Sequence, residues 1–458
     1  MLTLHPIDWA LIASFFIVQA YFGFRQSFGR RKTDAEDYLI AGRQLTMPAF
    51  VASLVSTWYS GILGVGEYSY LYGVSNWLVF GVPYYLWALV FALFLARKAR
   101  RTYFISLPDQ VGRAYGRGPG LVSAAMVFIM AVPAANVLML AEFGHLLLGW
   151  PIWLGASVGA GMSITYLFIG GFRSAIRTDI LQFICMFAGF ALILPYSYHA
   201  LGGWTALKAA VPPLHLTWHG GNSGWFIASW YFIATSTLVD PAFYQRCYAA
   251  KDEQSARRGI FWSIIFWIIF DFMTTTAGLY ARAAVPNLDT PAMSYPALAA
   301  KVLPVGIIGL FFVGMIATVV SGVDSYMFIA AISLGRDVMS RVRTMTDRGI
   351  TLWTRWALLI SAVISVLMAV ALNSVIAIWR DIGSIAVTVL LLPVLFTFRE
   401  QALKIPPKRV VIWMVVPGAV SFLWIMTRVI AGHYPLGLEP IFPGLAVSLI
   451  LWVIVRRS

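Results

Sequence analysis

Oxygen-bearing side chains recur at helical spacing inside stretches that are otherwise apolar. Thr318, Ser321 and Ser325 follow an i, i+3, i+7 stripe, with Asp324 next to the last of them. Three hydroxyls and a carboxylate in one row suit a hard cation, which takes oxygen in preference to nitrogen or sulfur. The same residues are also satisfied without an ion if the hydroxyls bond back to the preceding turn and Asp324 pairs with an arginine. A second stretch, residues 52–67, holds Ser56, Tyr59 and Ser60 followed by Gly61, Gly64, Gly66 and Glu67. A helix of this composition can break at mid-membrane, which is tolerated where the freed carbonyls and amides line a cavity or bind something. Alternatively, the small residues let neighbouring helices approach closely.

A third stretch runs from Ser223 to Pro241, and Asp240-Pro241 interrupts it near its inner end. Acidic residues inside spans cost about 2.5–3.5 kcal/mol each on insertion scales, so Glu67, Glu142, Asp271 and Asp324 each need a partner or a role. Metal sites built on cysteine or histidine are not expected. Cys185 and Cys247 are too few for a disulfide framework or zinc site, and the six histidines (His5, His145, His199, His215, His219, His433) are scattered. No nucleophile or metal motif points to an enzyme.

The elements that position these residues follow from composition. The chain of 458 residues is 60% apolar and 11% charged, against about 25% charged in soluble domains, so lipid is its main solvent. Stretches of about 20 apolar residues, enough to cross about 30 Å of hydrocarbon, occur near 6–24, 47–72, 76–96, 121–148, 152–170, 179–200, 223–245, 259–281, 305–334, 352–372, 376–397, 410–431 and 439–455. The expected fold is an all-α polytopic membrane protein of about thirteen transmembrane helices.

The net charge of +14 marks orientation and not a nucleic-acid partner, because Lys and Arg collect in alternate loops. Only Lys208, Arg282, Lys301, Arg380 and Arg428, of 33 basic residues, fall outside the loops assigned to the inside. This places the amino terminus outside and the carboxyl terminus in the cytoplasm of the cell (inner) membrane. Arg25, Arg30, Arg31 and Lys32 after the first span make it an anchor in place of a cleaved signal peptide. The two interrupted spans lie five apart, as an inverted repeat predicts, with the site between them.

On these residues the chain resembles the sodium:solute symporter family over nearly its whole length. Asp37-Tyr38-Leu39-Ile40-Ala41-Gly42-Arg43 resembles the family's loop before its first core helix. Gly170 to Gln182 resembles its glycine pair and Thr-Asp-x-x-Gln stretch. Pro241 to Arg246, followed by Ala249-Ala250-Lys251, is similar to the inner end of its sixth core helix, and Ser321 to Ser325, followed by Asp337, to the eighth.

The resemblance implies a 5+5 inverted-repeat core of the bacterial leucine transporter type with two discontinuous helices. It divides the chain into an amino-terminal extra helix and inner loop (1–46), a first repeat (47–200), a second repeat with outer loops (201–397) and two carboxy-terminal helices (398–458). It implies a transported, coupling sodium ion held by carbonyls of Ser56 and Tyr59 and by Thr318, Ser321 and Gly322. Gly322 departs from the Ser or Thr usual there and removes a ligand. A second sodium, where the family has one, matches Ser321, Asp324, Ser325 and Asp179. Asp179 is either a relay for sodium release or the partner of Arg173 or Arg177.

The solute lining implied by the same resemblance is Ser60, Leu63, Gly64, Tyr84, Tyr85, Asn136 and Trp230. No Arg or Lys lies between Ala131 and Leu140, which disfavours a sialic acid. The expected function is sodium-coupled symport of a small polar organic solute (amino acid, sugar or vitamin-like acid) by alternating access, with a monomer sufficient. Proton-coupled or cation-independent transport on the same fold is the first alternative. A membrane sensor of solute is the second, although no kinase module is expected after Ser458.

Overall fold

The computed structural model describes residues 2–25, 35–371 and 375–457. Arg30, Arg31 and Lys32, counted above among the inner charges, lie outside them. The described residues form helices joined by short turns, with one isolated bridge between Leu45 and Ala250. Among the described residues, eleven helices are long and apolar enough to cross a membrane. The two remaining stretches of the thirteen are the interrupted segment 224–249 and the shorter helix Ile441–Arg457.

Both interruptions are present. The first broken span is the helix Met47–Trp58, a 3₁₀ turn Tyr59–Gly61 and the helix Ile62–Tyr72. Tyr59 (φ −78°, ψ 3°) and Gly61 (φ −83°, ψ 33°) leave helical geometry, so the chain kinks without an extended segment. The second broken span is longer. After Gly224–Ile233 come six residues of 3₁₀ helix, Ala234–Val239, then Asp240 in extended conformation (ψ 118°), before Pro241–Ala249 begins. Pro241 at the first helical position has no amide to leave unpaired, and Asp240 Oδ1 caps the new helix by accepting from Ala242 N at 2.7 Å. The interruption thus starts six residues before the Asp-Pro pair that signals it in the sequence.

The helices Phe172–Leu201 and Ile307–Ile332 pack together extensively, and Met47–Trp58 lies against both. Ile307–Ile332 is buried along nearly its whole length, unlike the lipid-facing spans around it. A helix buried all round can carry polar groups on more than one face, and this one does.

The amino-terminal helix Pro6–Phe24 is fastened to that bundle. Asp8 Oδ1 accepts from Gly306 N at 2.7 Å and Gly309 N at 3.0 Å, and Gln19 Nε2 donates to the Tyr166 hydroxyl at 3.1 Å. Cys185 and Cys247 are free thiols.

Candidate functional site

Two adjoining sets of polar groups meet at the first kink. The first is a seam between Met47–Gly61 and Ile307–Ile332. Ser321 Oγ donates to Ser56 Oγ at 2.8 Å and lies 2.6 Å from Asp179 Oδ1. Thr318 Oγ1 bonds back to Gly314 O at 2.7 Å, and the Ser60 carbonyl accepts from Asn136 Nδ2 at 3.2 Å. All of these side chains are buried.

Gly322 has a steric reason. A Cβ there would overlap Ser60 Cβ and Oγ and lie 2.5 Å from Asn136 Nδ2. The space that a Ser or Thr side chain would need at position 322 is therefore filled from across the seam by Ser60, which brings a hydroxyl of its own.

Below the seam lies Arg246, with no exposed surface. Its guanidinium donates to Ser53 Oγ (2.9 Å), Thr57 Oγ1 (2.8 Å) and Ser325 Oγ (2.7 Å), and stands 3.7 Å from Asp179 Oδ2. Ser53 also donates to Asp179 at 2.5 Å, and Thr57 donates to Ser325 at 2.8 Å. Loop-charge counting assigned Arg246 to an inner loop, and the fold instead inserts it between three helices. Arg173, one of the partners considered for Asp179, pairs with Asp37 at 2.6 Å.

Asp324 points elsewhere. Both of its oxygens accept from the Tyr166 hydroxyl at 2.5 Å, and Oδ2 also lies 3.3 Å from Thr178 Oγ1 and 3.4 Å from Gln182 Nε2. Ser321 and Asp324 therefore serve different faces of one helix, and Asp324 is hydrogen-bonded to none of Asp179, Ser321 and Ser325 among the described residues.

The second set lines a cavity of about 210 Å³ between the two broken spans. Of the residues singled out from the sequence, Tyr59, Ser60, Tyr84 and Asn136 lie on its wall. Tyr85 lies one layer out, donating its hydroxyl to Asp271, which does line the cavity. Leu63 and Gly64 are buried away from it, and Trp230 packs on Phe80 with ring centroids 4.5 Å apart. The wall also includes Trp58, Asp240, Asp271, Tyr326 and Trp379, which the sequence reading did not assign to it. Asp240 and Asp271 carried a signal, one as the break and the other as a costly acid. The aromatics carried none, because a ring in a membrane span reads first as packing.

The arrangement amounts to a seam of oxygens beside a cavity of about 210 Å³, both bordered by the first broken span. The profile of the sodium:solute symporter family matches residues 38–399. This chain belongs to the sodium:solute symporter family.

Among its relatives, the sodium/pantothenate symporter of Escherichia coli (strain K12) is 25% identical over 454 residues, covering 93% of this chain and 91% of the relative. The osmoregulated proline transporter of Bacillus subtilis (strain 168) is 24% identical over 459 residues, covering 93% and 90%. A solved structure of a Na+-coupled sialic acid symporter, in a substrate-bound outward-open state, superposes with a TM-score of 0.80 at 13% identity, covering 98% of this chain and 97% of that one.

The sodium:solute symporter described here accordingly has the inverted-repeat fold of the bacterial leucine transporter type. It is a multi-pass membrane protein and a transporter, not an enzyme, and it couples sodium to the movement of a small solute.

Proposed function

We propose that the sodium carried in each cycle sits in the seam, bound by the carbonyls of Ser56 and Tyr59 and the hydroxyls of Thr318 and Ser321. The Ser60 hydroxyl replaces the oxygen absent at Gly322. The observation that supports this most directly is the steric exchange at Gly322, since filling that space from the opposite helix keeps a fifth oxygen within the seam. Hydroxyl and carbonyl ligands of this kind suit a hard monovalent ion stripped of water.

Sodium in this position joins the first kink to Ile307–Ile332 and favours the conformer competent for solute. Coupling is mutual, so solute tightens sodium by the factor by which sodium tightens solute. Arg246 takes the space among Ser325, Asp179 and Thr57 that a second sodium would need, and its fixed positive charge opposes one there. Asp179, Ser325 and Arg246 then form a latch at the inner end of the seam, and Asp324 belongs to the opposite face.

The protein is read as lying in the cell (inner) membrane, amino terminus outside and carboxyl terminus in the cytoplasm. Residues 47–200 and 201–397 act as the two repeats, and one copy suffices for transport. Relatives are named for solutes as different as pantothenate, an anion, and proline, a zwitterion. The lining must therefore decide the solute.

The test is thermal stability of the purified protein in sodium chloride against potassium chloride at equal ionic strength, because an ion that binds only the folded state raises its midpoint. Sodium is expected to stabilise with a saturable dependence, and Ser321→Ala to weaken that dependence about tenfold or more, the value of a lost ligand of about 1.5–3 kcal/mol. Equal stabilisation of the parent protein by both salts would end this reading.

A further inference from the structure

The buried acids near the site are not all answered in the same way. Asp179 has the guanidinium of Arg246. Asp240 caps a helix start, where the amide ends of Pro241–Ala249 favour a negative charge, and its second oxygen lies 3.5 Å from the Tyr326 hydroxyl. Asp271 has neither. It receives the Tyr85 hydroxyl, the Tyr59 hydroxyl lies beside it, and it is 2% exposed.

Among the described residues, Asp240 and Asp271 form no ion pair with any Lys, Arg or His. Both line the cavity, and among the described residues no Lys, Arg or His lines it with them. An ionised carboxylate taken out of water is costly unless a cation reaches it.

Around it the wall is aromatic. Trp58, Tyr84, Tyr326 and Trp379 face the same space. Trp58 and Tyr84 meet edge to face with centroids 5.0 Å apart, and Trp58 also packs on Phe243 and Trp267, which fixes its ring at the wall. Aromatic faces attract an organic cation, and more strongly where water is excluded. They offer nothing comparable to an anion, whose carboxylate would face two like charges. A neutral sugar would leave Asp271 without a countercharge.

We infer that the solute carries an ammonium group, with Asp271 as its counter-ion and Trp58, Tyr84 and Trp379 packed around it. This rests on the reading that the central cavity holds the solute beside the sodium seam. Sodium and ammonium then enter separate sites, one lined by hydroxyls and carbonyls and the other by a carboxylate and rings.

The experiment is a thermal-shift series on the full-length protein in sodium chloride. The ammonium probes are choline, glycine betaine and proline. The neutral probes are glucose and 3,3-dimethyl-1-butanol, the uncharged carbon isostere of choline, and the anionic probe is pantothenate. At least one ammonium probe is expected to raise the midpoint saturably, and neither neutral probe nor pantothenate to do so. Asp271→Asn is expected to weaken that probe about 10- to 100-fold, the effect of losing the countercharge of a close ion pair. The response of Asp271→Asn to sodium alone should persist, which shows that the variant is folded and keeps the sodium reading separate from this one. Tyr85→Phe, which frees a carboxylate oxygen without removing its charge, should preserve the preference for ammonium. Stabilisation by glucose, 3,3-dimethyl-1-butanol or pantothenate, or by none of the ammonium probes, would overturn the inference.

Discussion

The inner end of the seam and the solute cavity both hold carboxylates out of water, but they are neutralised differently. At the inner end, Asp179 meets Arg246 within a shell of Ser53, Thr57, Ser321 and Ser325, so both charge and hydrogen bonding are met by the chain itself. In the cavity, Asp271 is held by the Tyr85 hydroxyl, and among the described residues it pairs with no basic side chain. A charge balanced from within holds helices together, whereas one left open is available to something that arrives and leaves. Asp324 makes a third case on the same helix as Ser321, surrounded by Tyr166, Thr178 and Gln182 and turned away from both regions.

The largest effect should come from breaking the balanced side. Arg246→Ala leaves Asp179 buried without its cation, a change worth about 3–5 kcal/mol when a buried pair loses one partner. A clear fall in thermal midpoint, with little recovery in Arg246→Lys because lysine cannot supply the forked donors, is the expected result. A midpoint within a degree of the parent would mean that the pair holds nothing together.

Next in size is the steric exchange across the seam. Gly322→Ser alone crowds Ser60 and should cost about 1–3 kcal/mol as overpacking, with loss of sodium stabilisation. Adding Ser60→Gly to it moves the hydroxyl back to the other helix and should restore both stability and the sodium response. Failure of the double variant to recover sodium binding would separate the steric fit from the ligand role.

The smallest contrast is between two isosteric changes on the paired helices Phe172–Leu201 and Ile307–Ile332. In sodium-free buffer Asp179→Asn should lower the midpoint, because Arg246 loses its counter-ion. Asp324→Asn should leave it unchanged or raise it, because no cation is stranded and an amide oxygen can still accept from Tyr166. Equal losses in the two variants would show that Asp324 has a positive partner after all.

Much of the fold could be read from residue types alone. Runs of apolar residues placed the spans, and Gly61 and Asp240-Pro241 marked the two interrupted ones. The second break began earlier than its signal, since the 3₁₀ turns of Ala234–Val239 contain no Gly or Pro to announce them. Of the positions that the family resemblance pointed to, Ser56, Ser60 and Ser321 meet along the seam, Thr318 bonds back to its own helix, and Tyr84 and Asn136 reach the cavity.

Other residues were not legible for two physical reasons. Arg246 reads as a loop residue because basic residues near span ends set orientation, and only packing shows that this one is drawn inside. Trp58 and Trp379 could not be told from core or interfacial rings, while Trp230, which looked equally suitable, fills a gap beside Phe80. Separating Asp179 from Asp324 required knowing what each meets across its helix, Arg246 and Ser321 for the first and Tyr166 for the second.

Gly61 has a bearing beyond the shape of the kink. Its missing side chain leaves a notch that the Trp379 indole occupies so closely that even a methyl group there would collide with the ring. The span Val375–Phe396 is thereby wedged against the hinge of another span. Relative motion of the two spans at this point therefore requires the indole to leave its notch.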